Sequence, residues 1–274
     1  AIFIAVGTPE RRGDGHADLT YVYAVAKEIA PILKKYCVVI TKSTVPVGTS
    51  LEISNIIKKY NRNASFDVVS NPEFLREGSA IEDFMRPNRV IIGCENEKSK
   101  KIMENIYQPL NLIQTPILFT DLKSAELIKY ASNAFLAMKI SFINQMADLC
   151  ESLNTDIHFI SRGMGLDKRI GDKFLHPGPG YGGSCFPKDT IALSKIASDN
   201  NVDLSIINNV ISYNKNRKKS LIKKINHILG NDMKKMSVAV LGLSFKPGTD
   251  DMRESPSLDL VPSLVENVKE IKVY

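Results

Sequence analysis

The sequence predicts an α/β fold in which a parallel sheet is followed by one long helix and the opening of a second sheet. Three observations predict it. Short apolar runs alternate with helical stretches through the first part of the chain, polar clusters follow those runs, and residues 121–153 contain neither Pro nor Gly. Strands alternating with helices favour a parallel sheet, whose ligands gather beyond the carboxyl ends of the strands. With 274 residues, 43% of them hydrophobic, the chain is long enough for a sizeable core and for more than one domain.

The elements follow in order. "IFIAV" at 2–6 is a short apolar run closed by Gly7-Thr8-Pro9, as expected of a central strand meeting a turn. Residues 19–35 have a helical pattern, "CVVITKSTV" is a second strand with a polar exit, and 51–60 is another helix. "FDVVSNPEFL" and "NRVIIGC" repeat the strand-then-loop signal, and "EKSKKIMENIY" is helical after them. From Asp121 to Leu153 one helix links two lobes. The glycines and prolines of "GMGLDKRIGDKFLHPGPGYGGSC" then break the pattern and predict a close-fitting loop. A short helix is expected after Pro187 and a basic helix over Asn214–Leu229, whose "RKKSLIKK" cluster reads as a solvated face. "MSVAVLGLSF" opens a second sheet near residue 236, "LDLVPSLVE" is a helix and "EIKVY" a strand. A first residue inside a buried strand and a final domain of so few residues lead to the expectation that both terminal regions are incomplete.

Charge and composition narrow the function classes. The net charge of +6, from 36 Lys+Arg against 30 Asp+Glu, suits an anionic small substrate. No zinc-finger spacing or aromatic-interleaved basic tract points to nucleic acid. No apolar run reaches the roughly 20 residues that span a bilayer, so no membrane partner is expected. Cys37, Cys94, Cys150 and Cys185 are widely separated and lack CxxC spacing, which predicts reduced thiols in a cytoplasm. His16, His158, His176 and His227 show no ligand spacing, and no metal is expected.

The candidate chemistry lies at strand exits and in the glycine loop. Ser43, Thr44, Asn71, Glu73 and Glu77 could approach one crevice, although Ser43 or Thr44 could equally be a turn hydroxyl or a helix cap. Glu73 and Glu77 have the spacing of one helical face. Lys129 and Asn133 stand one turn apart on the long helix, where a cation and an amide could serve one oxyanion or simply face solvent at a junction. In "GYGGSCFPKD", Cys185 follows a glycine pair and precedes Asp189 by four residues, a setting for a nucleophile or for one more buried thiol.

Taken together, "VGTP", "STVPVGT", "NPEFLREGSAIEDFMRPNRVIIG", "GYGGSCFPKD" and "FKPGTDDMRES" resemble the nucleotide-sugar dehydrogenases, the UDP-glucose/GDP-mannose dehydrogenase family, over nearly the whole chain. The resemblance implies two Rossmann-like domains joined by the long central helix: the remainder of an NAD-binding domain at 1–120, a central dimerisation region with the Cys loop at 121–229, and the start of a UDP-sugar domain at 230–274. It implies a four-electron oxidation of a sugar C6 alcohol to a carboxylate with two NAD molecules in succession, through a thiohemiacetal and a thioester on Cys185. Lys129 and Asn133 would face the reacting oxygen, Asp189 and Thr44 would position water, and Glu73 or Asp189 would act as base. Phe74, Leu75, Arg76, Lys246 and the Gly182-Gly183 loop would surround the UDP-sugar, and Arg169 would reach a neighbouring subunit's substrate. Thr8, Ser43, Thr44, Glu77 and Arg253 resemble cofactor contacts.

Within the family the wording "REGSAIEDFMRP" favours UDP-glucose as substrate. GDP-mannose is the alternative, and the segment "GGSCFPKD" fits UDP-N-acetylmannosamine enzymes less well. A noncatalytic nucleotide-sugar-binding or oligomerisation chain is the reading from a different class. The departures are specific. The strand-to-helix GxGxxG loop and the acidic residue for the adenosine ribose are expected to precede residue 1. Asn88 stands where the family usually has Asp.

Overall fold

The computed structural model describes residues 1–11, 13–113 and 115–274. The chain divides into two compact units, Ala1–Ser132 and Asn133–Tyr274. The first is built on a five-stranded sheet in the order β1-β2-β3-β4-β5. Strands β1 (Ile2–Ile4), β2 (Cys37–Thr41) and β3 (Phe66–Ser70) are parallel, with Ile2 opposite Val39 and Val39 opposite Val68. β4 (Val90–Gly93) and β5 (Ile117–Thr120) are parallel to each other.

The side-chain period of two in β2 builds both faces of the sheet. Val39 packs with Ile4, Val22, Ala26, Ile53 and Ile57 beneath α1 (Thr20–Ile29) and α2 (Thr49–Tyr60). Val38 and Ile40 point the other way, onto Val69, Ile92, Met103 and Tyr107, the last two from α4 (Glu97–Tyr107). The α/β expectation is borne out, with one difference: β4 runs antiparallel to β3 through the single pair Ser70 and Gly93. A parallel crossover needs a helix that packs back along the sheet. The helix described between them, α3 (Ala80–Met85), has six residues and buries none, so it does not carry the chain back to the end of the sheet where β3 began.

Helix α5 (Leu122–Leu153) runs unbroken, as the absence of Pro and Gly predicts. In the second unit α6 (Ile157–Gly165) was not foreseen. Asp156 caps it by accepting from the His158 N–H at 2.8 Å. α7 (Phe186–Asp199) starts two residues before the expected point, because Pro187 fits in its first turn, where no N–H partner is needed. α8 (Ser205–Leu229) begins nine residues earlier than expected. β6 (Ser237–Val240) pairs in parallel with β7 (Glu270–Val273), with α9 (Ser257–Val265) between them in sequence. Among the described residues no helix is long and apolar enough to cross a membrane.

Candidate active site

In the first unit the carboxyl ends of β1 and β2 are closed by their own loop hydroxyls. Ser43 Oγ donates to the Val6 carbonyl at 2.6 Å, and Thr8 Oγ1 donates to the Thr44 carbonyl at 2.8 Å. Ser43 is therefore a turn hydroxyl, whereas Thr44 turns its own hydroxyl to Glu73 Oε1 at 3.5 Å. The cap of α2 comes from elsewhere. Glu126 of α5, 1% exposed, accepts from Gly48 N–H at 2.6 Å and from Ser50 N–H at 2.8 Å. Burial pushes its carboxyl up, and the positive end of the helix favours its ionised form.

Glu73 is held from two sides. Its Oε1 lies 3.1 Å from Lys129 Nζ, and its Oε2 accepts from Leu75 N–H at 2.5 Å. Lys129 is 3% exposed and stands 5.2 Å from the centre of the Phe74 ring, on which the Arg89 guanidinium also stacks at 3.9 Å. Upstream, Asn71 anchors this loop through Nδ2 to the Ile91 carbonyl at 2.7 Å. The backbone from Asn71 to Arg76 is loop, so Glu73 and Glu77 do not share a helical face as their spacing suggested. Arg76 turns away to a two-pronged pair with Asp83, at 2.6 and 3.0 Å, and Glu77 lies half-buried in the turn at Gly78.

Lys42, which sequence analysis passed over, sits beneath this cluster. Its ammonium donates to Asn71 Oδ1 and to Tyr107 Oη, both at 3.2 Å. Burial pulls its pKa down to about 8, with Glu73 opposing and Lys129 reinforcing that shift. The signal was available: a lysine ending an apolar strand run leaves a charge where the sheet is covered.

In the second unit Cys185 is the residue immediately before α7 and is half-buried. At a helix N-terminus unpaired N–H groups and the dipole favour negative charge. Its carbonyl accepts from Asp189 N–H at 2.9 Å. Asp189, 1% exposed, has both carboxylate oxygens engaged: Asn133 Nδ2 donates at 2.6 Å and Lys188 Nζ lies at 2.5 Å. Lys188 was not singled out from the sequence, although it adjoins Asp189 in the quoted stretch. All four cysteines are free thiols. Cys150 is buried on α5, and burial pushes the Cys94 thiol up.

The reading of Lys129 and Asn133 as a solvated pair is overturned, since they are 3% and 6% exposed. Each has its own carboxylate, Glu73 and Asp189 respectively. The reading of "RKKSLIKK" as a solvated face also fails at two positions. Arg217 and Lys218 are 5% and 6% exposed because Asp148 and Glu254 draw them in.

The glycines of the Cys loop are required by space. A Cβ on Gly182 would collide with the Glu254 carbonyl, and one on Gly183, whose φ is +79°, would meet the Phe245 ring at 2.6 Å. Lys246 Nζ stands 5.5 Å from that ring centre. Arg253 forms a two-pronged pair with Asp251, and Arg169 pairs with Asp167 while its side chain is 90% exposed. Within their units, then, the structure brings Thr8, Ser43, Thr44, Glu73 and Lys129 together, and Asn133 with Asp189. The side chains of Arg76 and Arg169 pair with Asp83 and Asp167.

The donor set at the ends of β1 and β2 is neutral hydroxyl and backbone. With the Ser43 and Thr8 hydroxyl protons given to carbonyls, what these groups offer a dinucleotide is neutral acceptor oxygens, which suit its amide and ribose hydroxyls rather than its phosphates, for which no strand-to-helix glycine loop is present in the chain.

Comparison with known proteins adds the family. Residues 1–111 match the NAD binding domain of the UDP-glucose/GDP-mannose dehydrogenase family, 123–216 its central domain and 239–274 its UDP binding domain. The chain is 56% identical over 265 residues to a UDP-glucose 6-dehydrogenase of Rhizobium meliloti, covering 96% of this chain and 61% of that protein. A UDP-glucose dehydrogenase structure from Pyrobaculum islandicum superposes with a TM-score of 0.92 at 39% identity, over 99% of this chain and 62% of that one. A GDP-mannose dehydrogenase structure from Pseudomonas aeruginosa gives 0.58 at 31% identity, over 99% and 62%. The chain thus spans about three-fifths of the length of these relatives. With all three domain models of one family matched in order along it, this chain belongs to the UDP-glucose/GDP-mannose dehydrogenase family.

Proposed function

We propose that the protein carrying this chain oxidises UDP-glucose at C6 to UDP-glucuronate with NAD, through covalent intermediates on Cys185. The observation that carries the reading is Cys185 at the start of α7, one turn before a buried Asp189 that also receives Asn133. The 56% identity to a UDP-glucose enzyme, against 31% to a GDP-mannose enzyme, supports the substrate.

NAD, when bound, accepts a hydride from C6 at each of the two oxidations. Thr8, Ser43, Thr44, Glu77 and Arg253 are the residues assigned to hold it. In the first oxidation C6–OH loses its hydride and a proton, and an aldehyde forms. Glu73 takes the proton, while the Lys129 ammonium and Asn133 amide stabilise charge developing on the oxygen. The sulfur of Cys185 then adds to the aldehyde carbon, an S–C bond forms, and the thiol proton is transferred to the oxygen. Loss of a second hydride and of the hydroxyl proton leaves a thioester. Water positioned by Asp189 and Thr44 attacks it, the S–C bond breaks, and carboxylate and thiol are released. The sum is one alcohol, one water and two NAD⁺ giving one carboxylate, two NADH and three protons.

Phe74, Leu75, Arg76, Gly182 and Lys246 are assigned to the UDP-sugar, with lysine suited to its pyrophosphate. A homodimer is part of the reading. Phe135, Phe142 and Leu149 of α5 are 57%, 44% and 48% exposed and recur every seven residues, a stripe that a second copy would cover, and Arg169 would reach that copy's substrate. Four unpaired thiols support a reducing, cytoplasmic setting. The deciding experiment measures NADH formed per UDP-glucose consumed by the full-length protein. Two, with UDP-glucuronate as product, is expected, and one would overturn the four-electron reaction. Turnover of GDP-mannose without UDP-glucose would transfer the reading to that substrate.

A further inference from the structure

The segment that ends in Cys185 has no strand or helix through residues 177–183, so its backbone polar groups need partners from elsewhere. α8 supplies them with buried polar side chains. Asn214, 8% exposed, spends its amide on one residue: the Tyr181 N–H donates to Oδ1 at 2.8 Å, and Nδ2 donates to the Tyr181 carbonyl at 3.0 Å. A side chain here does what a neighbouring strand does in a sheet. Arg217 Nε donates to the Gly178 carbonyl at 3.1 Å while its other end holds Asp148 of α5.

Lys218 acts one step further away. Its ammonium donates to the main-chain carbonyl of Glu254 at 2.8 Å, with the Glu254 carboxylate at 3.3 Å. That same carbonyl is the atom against which Gly182 packs with no room for a Cβ. The carbonyl before it, of Arg253, accepts the Gly183 N–H at 2.8 Å. Glu254 has a φ of +54°, a left-handed conformation that a side-chain-bearing residue adopts only when its surroundings hold it. A buried cation on its carbonyl is such a restraint.

We infer that Lys218 is a positioning residue for Cys185: it fixes the 253–254 carbonyls as the floor on which Gly182 and Gly183 rest, and so sets where the sulfur meets the sugar aldehyde. The inference rests on the nucleophilic reading of Cys185. Loosening the floor lets the aldehyde leave before the S–C bond forms, because a small misplacement of a reacting atom slows its attack steeply.

The test uses full-length protein with UDP-glucose, measuring NADH and UDP-glucuronate with and without semicarbazide to trap aldehyde. Wild type should give two NADH per acid. Lys218→Met should lower kcat by about tenfold or more and raise NADH per acid above two, with the excess recovered as trapped aldehyde. Lys218→Arg should return the ratio towards two. Lys219→Met, which removes the exposed charge next door, should match wild type. Should Lys218→Met fail to fold, Asn214→Asp, which keeps the acceptor and loses the donor to Tyr181, should leak aldehyde in the same way. A slower Lys218 variant that still makes two NADH per acid and no trapped aldehyde would overturn the positioning role, since lower stability alone leaves the ratio untouched. Acid production by Cys185→Ser would instead remove the nucleophile and with it the premise.

Discussion

In the first unit Thr44 and Glu73 follow the carboxyl ends of β2 and β3, whereas in the second Cys185 leaves a glycine loop with no strand beneath it. The sheet gives the first cluster its rigidity. Register between β1, β2 and β3 fixes where each loop begins, and a few bonds from Asn71 and Leu75 finish the placement. The second cluster has no sheet register to hold it; one main-chain bond from Gly183 to Arg253 is joined by side chains that α5 and α8 send in, Asn144 to the Gly178 N–H, Asn214 and Arg217 to the loop backbone and Lys218 to Glu254. Buried polar groups therefore mean different things in the two units. In the first, Glu73 pairs with Lys129 and Glu126 caps α2, and in the second Asn214, Arg217 and Lys218 hold main-chain groups of the glycine loop and of Glu254.

The largest test of this contrast is Cys185→Ser in the full-length protein, expected to reduce acid formation at least about a thousandfold while UDP-glucose binding survives. Isothermal titration beside product analysis would separate the two, and undiminished acid would end the thioester role. Next comes Lys129→Met, which leaves Glu73 without its buried partner. A loss on the order of a hundredfold or more in kcat/KM is expected, and a variant within twofold of wild type would show that the pair is structural.

Glu126→Gln examines the scaffold of the first unit. One amide cannot accept from both Gly48 and Ser50 without opposing a donor to a donor. Destabilisation of about 1–3 kcal/mol is expected in urea unfolding, and faster hydrogen exchange at the first turn of α2 would locate it. The smallest effect is expected from Lys42→Met. With the folded pKa lowered to about 8, the unfolded chain binds more protons between that pH and the ordinary lysine value of 10.5, so the wild type gains stability as pH rises through this window. Denaturation midpoints at pH 8, 9 and 10 should rise for the wild type and rise less for the variant. Equal slopes would mean that the lysine keeps its ordinary proton affinity.

Much of the fold was legible because it rests on local pattern. The apolar runs at 37–41, 66–70 and 90–93 became strands, and 121–153 became one helix but for its first residue. The antiparallel β4 was not legible, because direction depends on whether the intervening helix buries a face, and six residues of α3 do not. The site divides similarly. Cys185, Asp189, Glu73 and Lys129 stood out by residue type and by their company in sequence. Lys42, Glu126 and Lys218 did not, since a lone lysine or glutamate on a strand end or helix face looks like any solvated charge until its partner is known.

By itself the sequence determined the element types, the long helix and the groups available for chemistry, since these follow from periodicity, from the breakers Gly and Pro, and from side-chain identity. Only the tertiary structure decided which charges lie inside. Lys129 and Lys218 are buried because Glu73 and the carbonyl of Glu254 meet them, and those partners lie 56 and 36 residues away in sequence. Burial of a charge is a property of the pair, and distance along the chain hides the pair until the chain folds.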